Sequence, residues 1–267
     1  MRTALSVLIV LAASISAFAH EYWFETDNFF LKLNERSQIR LFVGEALKRD
    51  EEKPYQASKT ISFDMFAADG KFDMRSLVED ETTPFLKFSS DHQGTFLLFL
   101  ERNWSYIKLD AAKFENYLRE DGMDYIIDER KRLGESNKAG SERYSRFIKT
   151  LLQVGDNRTG SAKTRVGSKL EIVPLENPYS KKSGDNLKLQ IYFGGVPLKE
   201  KAVFADNRDG EEYSTQKLTT DKDGKITVKL DRKGLWLIRL VYMQRCAKNC
   251  NEADWESFWG ALSFGLK

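Results

Sequence analysis

The chain has 267 residues, with 42 Lys and Arg side chains against 40 Asp and Glu side chains. A formal net charge of +2 gives no field that would attract nucleic acid or anionic lipid, so neither is expected as a partner. Aromatic residues at 12% and only five prolines predict a packed core rather than a disordered chain.

The first nineteen residues have the plan of a secretory signal peptide. Arg2 precedes an apolar run over residues 4–16, and Ala17-Phe18-Ala19 is a small-x-small cleavage signal. This run is too short to cross a bilayer, and no later segment reaches eighteen apolar residues. We therefore expect a periplasmic or secreted protein that is cut between Ala19 and His20 and does not span the membrane.

The stretch that follows, residues 20–109, is predicted to form strands. The segments "SQIRLFVGE" and "KTISFDMFAADGKF" alternate apolar and polar residues, with a hairpin turn at Asp69-Gly70. The segment "GTFLLFLER" is a continuous apolar run, typical of a strand buried on both faces. The charged run "KRDEEK" is interpreted as a solvent-facing loop. Because the apolar face of such a sheet must be covered, a β-sandwich is expected.

The pattern changes at Asp110, which can cap a helix. Apolar residues then recur at helical spacing, at Phe114, Tyr117 and Leu118. The segment "MDYIIDERKRLG" predicts a second short helix, and "RYSRFIKTLLQVG" predicts a helical or mixed segment. Residues from about 110 to 153 are therefore expected to be a helical insertion that follows the first β-domain.

A polar, glycine-rich stretch at residues 156–168 marks the predicted domain boundary. Beyond it, strands of five to seven residues are separated by glycine turns, which is typical of an immunoglobulin-like or transthyretin-like sandwich. The end of the chain, "ADWESFWGALSFGLK", is expected to be a last strand. The sequence thus predicts a mainly β fold, with an N-terminal β-domain at residues 20–160 and a C-terminal immunoglobulin-like β-sandwich at residues 161–267.

The two cysteines, Cys246 and Cys250, lie in "RCAKNC". In an oxidising exported compartment this spacing favours a disulfide that closes a small loop. A thiolate metal site is the alternative, but a lone C-x3-C lacks the second pair that structural zinc usually needs.

Several longer stretches together resemble the bacterial exported family called domain of unknown function 4198. They include "HEYWFE", "SYIKLDAAKFENYLREDGMDYII", and "PLENPY" with the strands that follow it. The resemblance covers essentially the whole mature chain. The family is similar to periplasmic components proposed to serve nickel or cobalt uptake. The resemblance therefore implies an exported, mainly β protein with a transition-metal role and an envelope transporter component as a partner, and it brings no catalytic site.

Common catalytic motifs are missing from the sequence. A Ser-His-Asp or Cys-His site needs an internal histidine, and His92 is the only one. The H-E-x-x-H, P-loop and G-x-G-x-x-G signatures do not occur. A binding protein is therefore expected rather than an enzyme.

The two histidines form the one constellation that suggests chemistry. Cleavage before His20 would place a free α-amino group beside its imidazole, and these two nitrogens can chelate one metal ion. A second imidazole from His92 would complete a three-nitrogen site that suits Cu(II) or Ni(II), with Asp91 or Glu21 as an additional oxygen ligand. His92 lies in the turn-like segment "SSDHQG", so the alternative for it is an exposed residue without a role.

The sequence leaves three functional hypotheses. The first is an exported periplasmic binding protein that captures or delivers a divalent transition metal (Ni, Co or Cu) through His20. The second is a non-catalytic structural or interaction module of the cell envelope. The third is a copper-dependent oxidative enzyme, which would need an open coordination position and a flat aromatic substrate face.

Overall fold

The computed structural model describes residues 20–267, so the predicted signal peptide lies outside the described residues. Two helices, α1 (Ala111–Glu120) and α2 (Asp124–Arg132), follow the eighth strand. The strands in chain order are β1 (Glu21–Thr26), β2 (Phe30–Leu31), β3 (Ser37–Glu45), β4 (Lys48–Lys53), β5 (Thr60–Ala67), β6 (Gly70–Asp73), β7 (Leu86–Phe88), β8 (Gly94–Leu109), β9 (Gly140–Val154), β10 (Leu170–Pro174), β11 (Asp185–Phe193), β12 (Val196–Pro197), β13 (Ala202–Asp209), β14 (Glu212–Thr219), β15 (Lys225–Leu230), β16 (Gly234–Arg245) and β17 (Trp255–Leu266). The expectation of a mainly β protein is confirmed.

A central sheet of nine strands runs through the molecule in the order β14-β13-β16-β17-β9-β8-β5-β6, with β2 paired to β9. Strands β17 and β9 are parallel and meet along Trp255–Ser263 and Glu142–Thr150. This pairing joins strands from both sides of the predicted boundary near residue 160 in one sheet, so the boundary does not interrupt the sheet.

Two smaller sheets cover opposite faces of the central sheet. The N-terminal sheet has the order β1-β3-β4 with β7 on β3, and the C-terminal sheet has the order β10-β11-β12 with β15 on β11. Ser263 of β17 donates a hydrogen bond to the carbonyl of Phe24 in the N-terminal sheet, whereas the ring of Phe258 packs against Phe193 in the C-terminal sheet. Because neighbouring residues of a strand point to opposite faces, β17 is buried on both sides.

The segment "KRDEEK" is the edge strand β4, antiparallel to β3, so the prediction of a loop was wrong. Four of its six residues are exposed, as expected for the run's charge. Charged side chains on an edge strand discourage pairing with another chain, which explains why a strand has this composition.

The two predicted helices are confirmed, but the helical segment is shorter than the predicted insertion. It ends with α2 at Arg132, and β9 begins at Gly140. The Asp110 side chain accepts a hydrogen bond from the backbone N–H of Lys113 at 2.9 Å and caps α1. The segment "RYSRFIKTLLQVG" is not helical or mixed; it lies in β9, between β8 and β17. Both faces of its second half are buried, which removes the alternating pattern by which a strand is recognised.

The helices pack on the same face of β17 as the N-terminal sheet. The ring of Tyr117 in α1 stacks on Trp259 with 6.0 Å between centroids. Phe114 and Leu118 are also buried in this cluster, together with Trp255. The first turn after α1 is thereby held beside the start of β1, where the candidate site lies.

Candidate functional site

His20 is the first described residue and leads directly into β1. Its Nδ1 contacts Oδ2 of Asp50, which lies on β4, the second strand from β1 in the N-terminal sheet. Its carbonyl oxygen accepts a hydrogen bond from Nη2 of Arg146 at 3.1 Å. The His20 side chain is 29% exposed, so it can still be reached from solvent.

His20 borders a cleft of about 160 Å³, which we call the N-terminal cleft. Strands β1, β3 and β16 and the end of α1 provide its other side chains. The lining residues are His20, Glu21, Glu45, Tyr117, Glu120, Asp121 and Arg239. Four of these residues are acidic and one is an arginine, so the lining is predominantly acidic.

Arg239 holds the buried wall of the cleft together. Its Nη1 lies 2.5 Å from Oε1 of Glu21 and 3.5 Å from Oδ1 of Asp121. Its Nε donates to Oδ2 of Asp206 at 2.6 Å. Three carboxyl groups thus surround one guanidinium group, and Oε2 of Glu21 is buried with no hydrogen-bond partner among the described residues.

This crowding changes the acidity of the cleft. Burial raises the pKa of Glu21, and the charge of Arg239 only partly offsets the rise. Burial and the nearby charge of Glu21 raise the pKa of Asp121 well above its ordinary value. The cleft therefore holds protons more strongly than exposed carboxylates would.

A second buried carboxyl group, that of Glu142 on β9, lies behind Tyr117. Its Oε1 accepts hydrogen bonds from the Tyr117 hydroxyl at 3.1 Å and from the Ser257 hydroxyl. Trp259 donates from Nε1 to Ser257 Oγ at 3.0 Å. Burial raises the pKa of Glu142 to about 7, although the hydrogen bonds from Ser257 and Tyr117 lower it.

The second predicted ligand, His92, lies far from this cleft. It is in the loop before β8, two residues ahead of Gly94, which pairs with Val154 at the end of β9. Arg146, which contacts His20, is eight residues earlier on the same strand. At about 3.3 Å per residue, the two histidines are separated by roughly 26 Å along β9.

The surroundings of His92 also differ from those of His20. Its Nδ1 lies 2.6 Å from Oδ1 of Asp91, and the two side chains are 79% and 74% exposed. The hydrogen bond from His92 lowers the pKa of the Asp91 carboxyl. Of the predicted ligands, the structure thus places Glu21 in the cleft with His20, and it places His92 and Asp91 together on a distant turn.

Side chains alone do not form a ready metal site in the described part of the chain. No group of three or more His, Cys, Asp or Glu residues within residues 20–267 is arranged to hold a metal ion. A metal site at His20 therefore needs a donor other than these side chains.

A family model described as "Domain of unknown function (DUF4198)" matches residues 17–244. The chain belongs to the DUF4198 family. No curated protein matches this DUF4198 chain. Among solved structures, it is similar to the three N-terminal domains of the bacteriophage RB49 Highly Immunogenic Outer Capsid protein (Hoc), with 11% sequence identity and a TM-score of 0.21. That match covers 91% of this chain and 59% of the phage chain.

Two further features of the DUF4198 chain bear on the sequence predictions. Cys246 and Cys250 form a disulfide, as predicted, and their loop is held by hydrogen bonds from Arg143 to the carbonyl oxygens of Lys248 and Asn249. Within residues 20–267, no helix is long and apolar enough to cross a bilayer.

Sequence reasoning missed three residues that build this site in the DUF4198 chain. Asp50 was hidden in the run "KRDEEK", because only the pairing of β4 with β3 brings it to His20. Arg239 is the one charge within the apolar run "LWLIRLVYM", and Arg146 begins the mostly apolar run "RFIKTLL", which also contains Lys149. A charge in an otherwise apolar strand is rarely buried without a partner, and this signal could have identified them.

Proposed function

We propose that this protein is an exported, periplasmic binding protein that captures or delivers a divalent transition metal (Ni, Co or Cu) through His20 at the mature N-terminus. The observation that carries the proposal is the position of His20 at the mouth of an acidic cleft. Cleavage after Ala19 would add an α-amino nitrogen to the imidazole, and the two nitrogens can close a chelate ring on one ion.

The donor set near His20 fits such an ion. Nδ1 is the imidazole nitrogen that can chelate together with the α-amino group, and Asp50 is the carboxylate in contact with it. One amine, one imidazole and one carboxylate give a nitrogen-rich set that suits Cu(II) or Ni(II), with copper favoured on intrinsic affinity. The proposed ligands are therefore the α-amino group and Nδ1 of His20, with Asp50 in place of the distant His92.

The surrounding carboxyl groups support the same proposal. Glu45 and Glu120 add acidic groups to the cleft beside the chelating residue, outside the network around Arg239, and a negative charge there raises the local concentration of cations. The site lies at the start of the mature chain and is partly exposed, so an envelope transporter component could take the ion by ligand exchange.

Calorimetric titration of Cu(II) and Ni(II) into the mature protein tests this proposal, after mass spectrometry has confirmed His20 as the first residue. The matched control retains one extra residue before His20, which converts the α-amino group to an amide. We expect tight one-to-one binding by the mature form and loss of that binding in the control. Equal, weak binding by the two forms would refute the N-terminal site.

A non-catalytic structural or interaction module is the second candidate, and one observation favours it. Phe193 of the C-terminal sheet packs against Tyr242 on β16 and Phe258 on β17, and these strands pair antiparallel with each other and with β13 and β14. We propose that these strands form an immunoglobulin-like or transthyretin-like sandwich, an architecture common in cell-surface domains. This hypothesis predicts that His20→Ala leaves every interaction of the protein unchanged.

A further inference from the structure

Two arginines are buried side by side on the central sheet. Arg102 on β8 and Arg146 on β9 are direct cross-strand partners, and they are 8% and 7% exposed. Like charges placed directly opposite on neighbouring strands destabilise a sheet. We call these two residues the arginine pair.

The arginine pair makes no ion pair in the described part of the chain, although the charge of Arg146 lowers the pKa of the buried Glu142. There, no aspartate or glutamate forms an ion pair with either guanidinium group, whereas Arg239 on the same sheet has three carboxyl partners. Arg102 donates from Nη2 to Oε1 of Gln56 at 2.8 Å, and Arg146 donates from Nη2 to the His20 carbonyl at 3.1 Å. A buried charge without a counter-ion is costly, so this arrangement requires another source of compensation.

Aromatic rings supply only part of that compensation. The ring of Tyr22 lies 5.4 Å from the guanidinium carbon of Arg102 and 4.1 Å from that of Arg146. Tyr144 and Trp259 lie 4.6 and 5.6 Å from the guanidinium carbon of Arg146. Cation–π contact is favourable, but a ring face accepts none of the in-plane N–H groups.

Two donor nitrogens are left over. Nη1 of Arg102 and Nε of Arg146 are buried and have no hydrogen-bond partner among residues 20–267. Burial lowers the pKa of Arg102, and the charge of Arg146 lowers it further. The arginine pair therefore has positive charge without an ion-pair partner and N–H groups without acceptors. A bound anion would supply both the opposite charge and the acceptors.

We propose that the arginine pair binds the carboxylate group of a small organic acid. A planar carboxylate matches the fork of a guanidinium group and can accept from two arginines at once. The rings of Tyr22, Tyr144 and Trp259 offer an apolar surface to the carbon skeleton of such an acid. Inorganic phosphate has no carbon skeleton and more acceptor oxygens than the two unsatisfied donors can serve.

The acid reaches the arginine pair from the side of Tyr22, Gln56 and Tyr144, which are all partly exposed. The small space beside Tyr22 and Arg146 measures about 10 Å³, enough for one water molecule, and Arg102 does not border it. Binding therefore moves the Tyr22 ring, a side-chain change of the kind common in complexes. Because Arg146 also contacts the His20 carbonyl, the bound acid lies next to the mature N-terminus.

The test is calorimetric titration of metal-free mature protein with acetate, succinate, citrate and inorganic phosphate. We expect one-to-one binding of at least one carboxylate, weakened about tenfold or more by Arg102→Met and by Arg146→Met. Replacing a buried charge that has no ion-pair partner by an apolar side chain removes its desolvation cost, which offsets the lost hydrogen bonds to Gln56 and the His20 carbonyl, so both variants should melt close to the wild type. If a Met variant fails to fold, Arg146→Lys replaces it in the test. This variant keeps the positive charge but loses the planar guanidinium group, so it should also bind the carboxylate more weakly.

Arg119→Met is the matched control, because that arginine is exposed on α1 and pairs with Glu115. It should bind the acid as the wild type does. Binding of no carboxylate, or equal binding by the wild type and the Arg102 and Arg146 variants, would overturn the proposal, and so would phosphate binding more tightly than every carboxylate. Because no metal is present, failure here leaves the proposed metal function standing.

Discussion

Each histidine of the described chain contacts an aspartate, yet the two contacts lie in different environments. His20 and Asp50 lie on the rim of a cleft whose wall is a buried network around Arg239. His92 and Asp91 are neighbours on an exposed turn. A histidine–carboxylate contact therefore does not define a metal site by itself; the proposal for His20 depends on the fixed, acidic surroundings and on the amino group that cleavage would supply.

The largest expected effect on metal binding comes from removing the His20 imidazole. His20→Ala should weaken Cu(II) binding by roughly a hundredfold, about 2.7 kcal/mol, because the chelate ring is lost. His92→Ala is the matched control and should change the affinity by less than about twofold. Competition titration against a chelator of known affinity measures both, and equal losses in the two variants would remove the distinction between the histidines.

The cleft wall should matter for stability in a way that the turn at His92 does not. Arg239→Met leaves the carboxyl groups of Glu21 and Asp206 buried without their cation, which should cost about 3–5 kcal/mol. Asp91→Ala on the exposed turn should stay within about 0.5 kcal/mol of the wild type. Urea unfolding of the two variants gives the comparison, and a cost below 1 kcal/mol for Arg239→Met would contradict a network of this strength.

The buried Glu142 should make stability depend on pH. Its pKa is raised from 4.5 to about 7 in the folded chain, so the folded state binds more protons than the unfolded state between these values. Protonated Glu142 contributes its full share to the free energy of unfolding below the unfolded pKa. This share is lost as the pH rises through 7, a loss of roughly 3 kcal/mol. Glu142→Gln should abolish this part of the pH dependence. Urea unfolding at pH 4.5 and 8 measures the change in the free energy of unfolding between the two pH values. The same change in the wild type and in the variant would show that Glu142 does not cause it.

A smaller effect is expected from the carboxylate that contacts His20. Asp50→Asn keeps the shape of the side chain and removes its charge, so metal affinity should fall by about tenfold. Asp91→Asn should leave the affinity unchanged, since Asp91 lies on the distant turn. The same competition titration distinguishes them, and an unchanged affinity in Asp50→Asn would remove Asp50 from the ligand set.

Local patterns in the sequence were sufficient for much of the fold. The alternation in "SQIRLFVGE" predicted β3, and Asp110 with the spacing of Phe114 and Leu118 predicted α1. Prediction failed where burial hid the period, as in β9, and where charge masked a strand, as in β4. The parallel pairing of β9 with β17 joins segments more than a hundred residues apart, and no local pattern encodes it.

The candidate site shows the same limit. His20 and Glu21 could be chosen from the sequence, because the predicted cleavage and the residue types single them out. Asp50 reaches His20 only through the order β1-β3-β4, and Arg239 reaches Glu21 only through packing of the N-terminal sheet on the central sheet. His92 was chosen because it is the only other histidine, and the structure places it at the far end of β9.

Electron paramagnetic resonance of the mature protein with one equivalent of Cu(II) tests the central claim most directly, because it counts the nitrogens bound to the metal. The account predicts coupling to two nitrogens, the α-amino group and Nδ1 of His20, and loss of that signal when one residue precedes His20. It also predicts an unchanged spectrum in His92→Ala. The same spectrum with and without the extra residue, or loss of a nitrogen in His92→Ala, would contradict it.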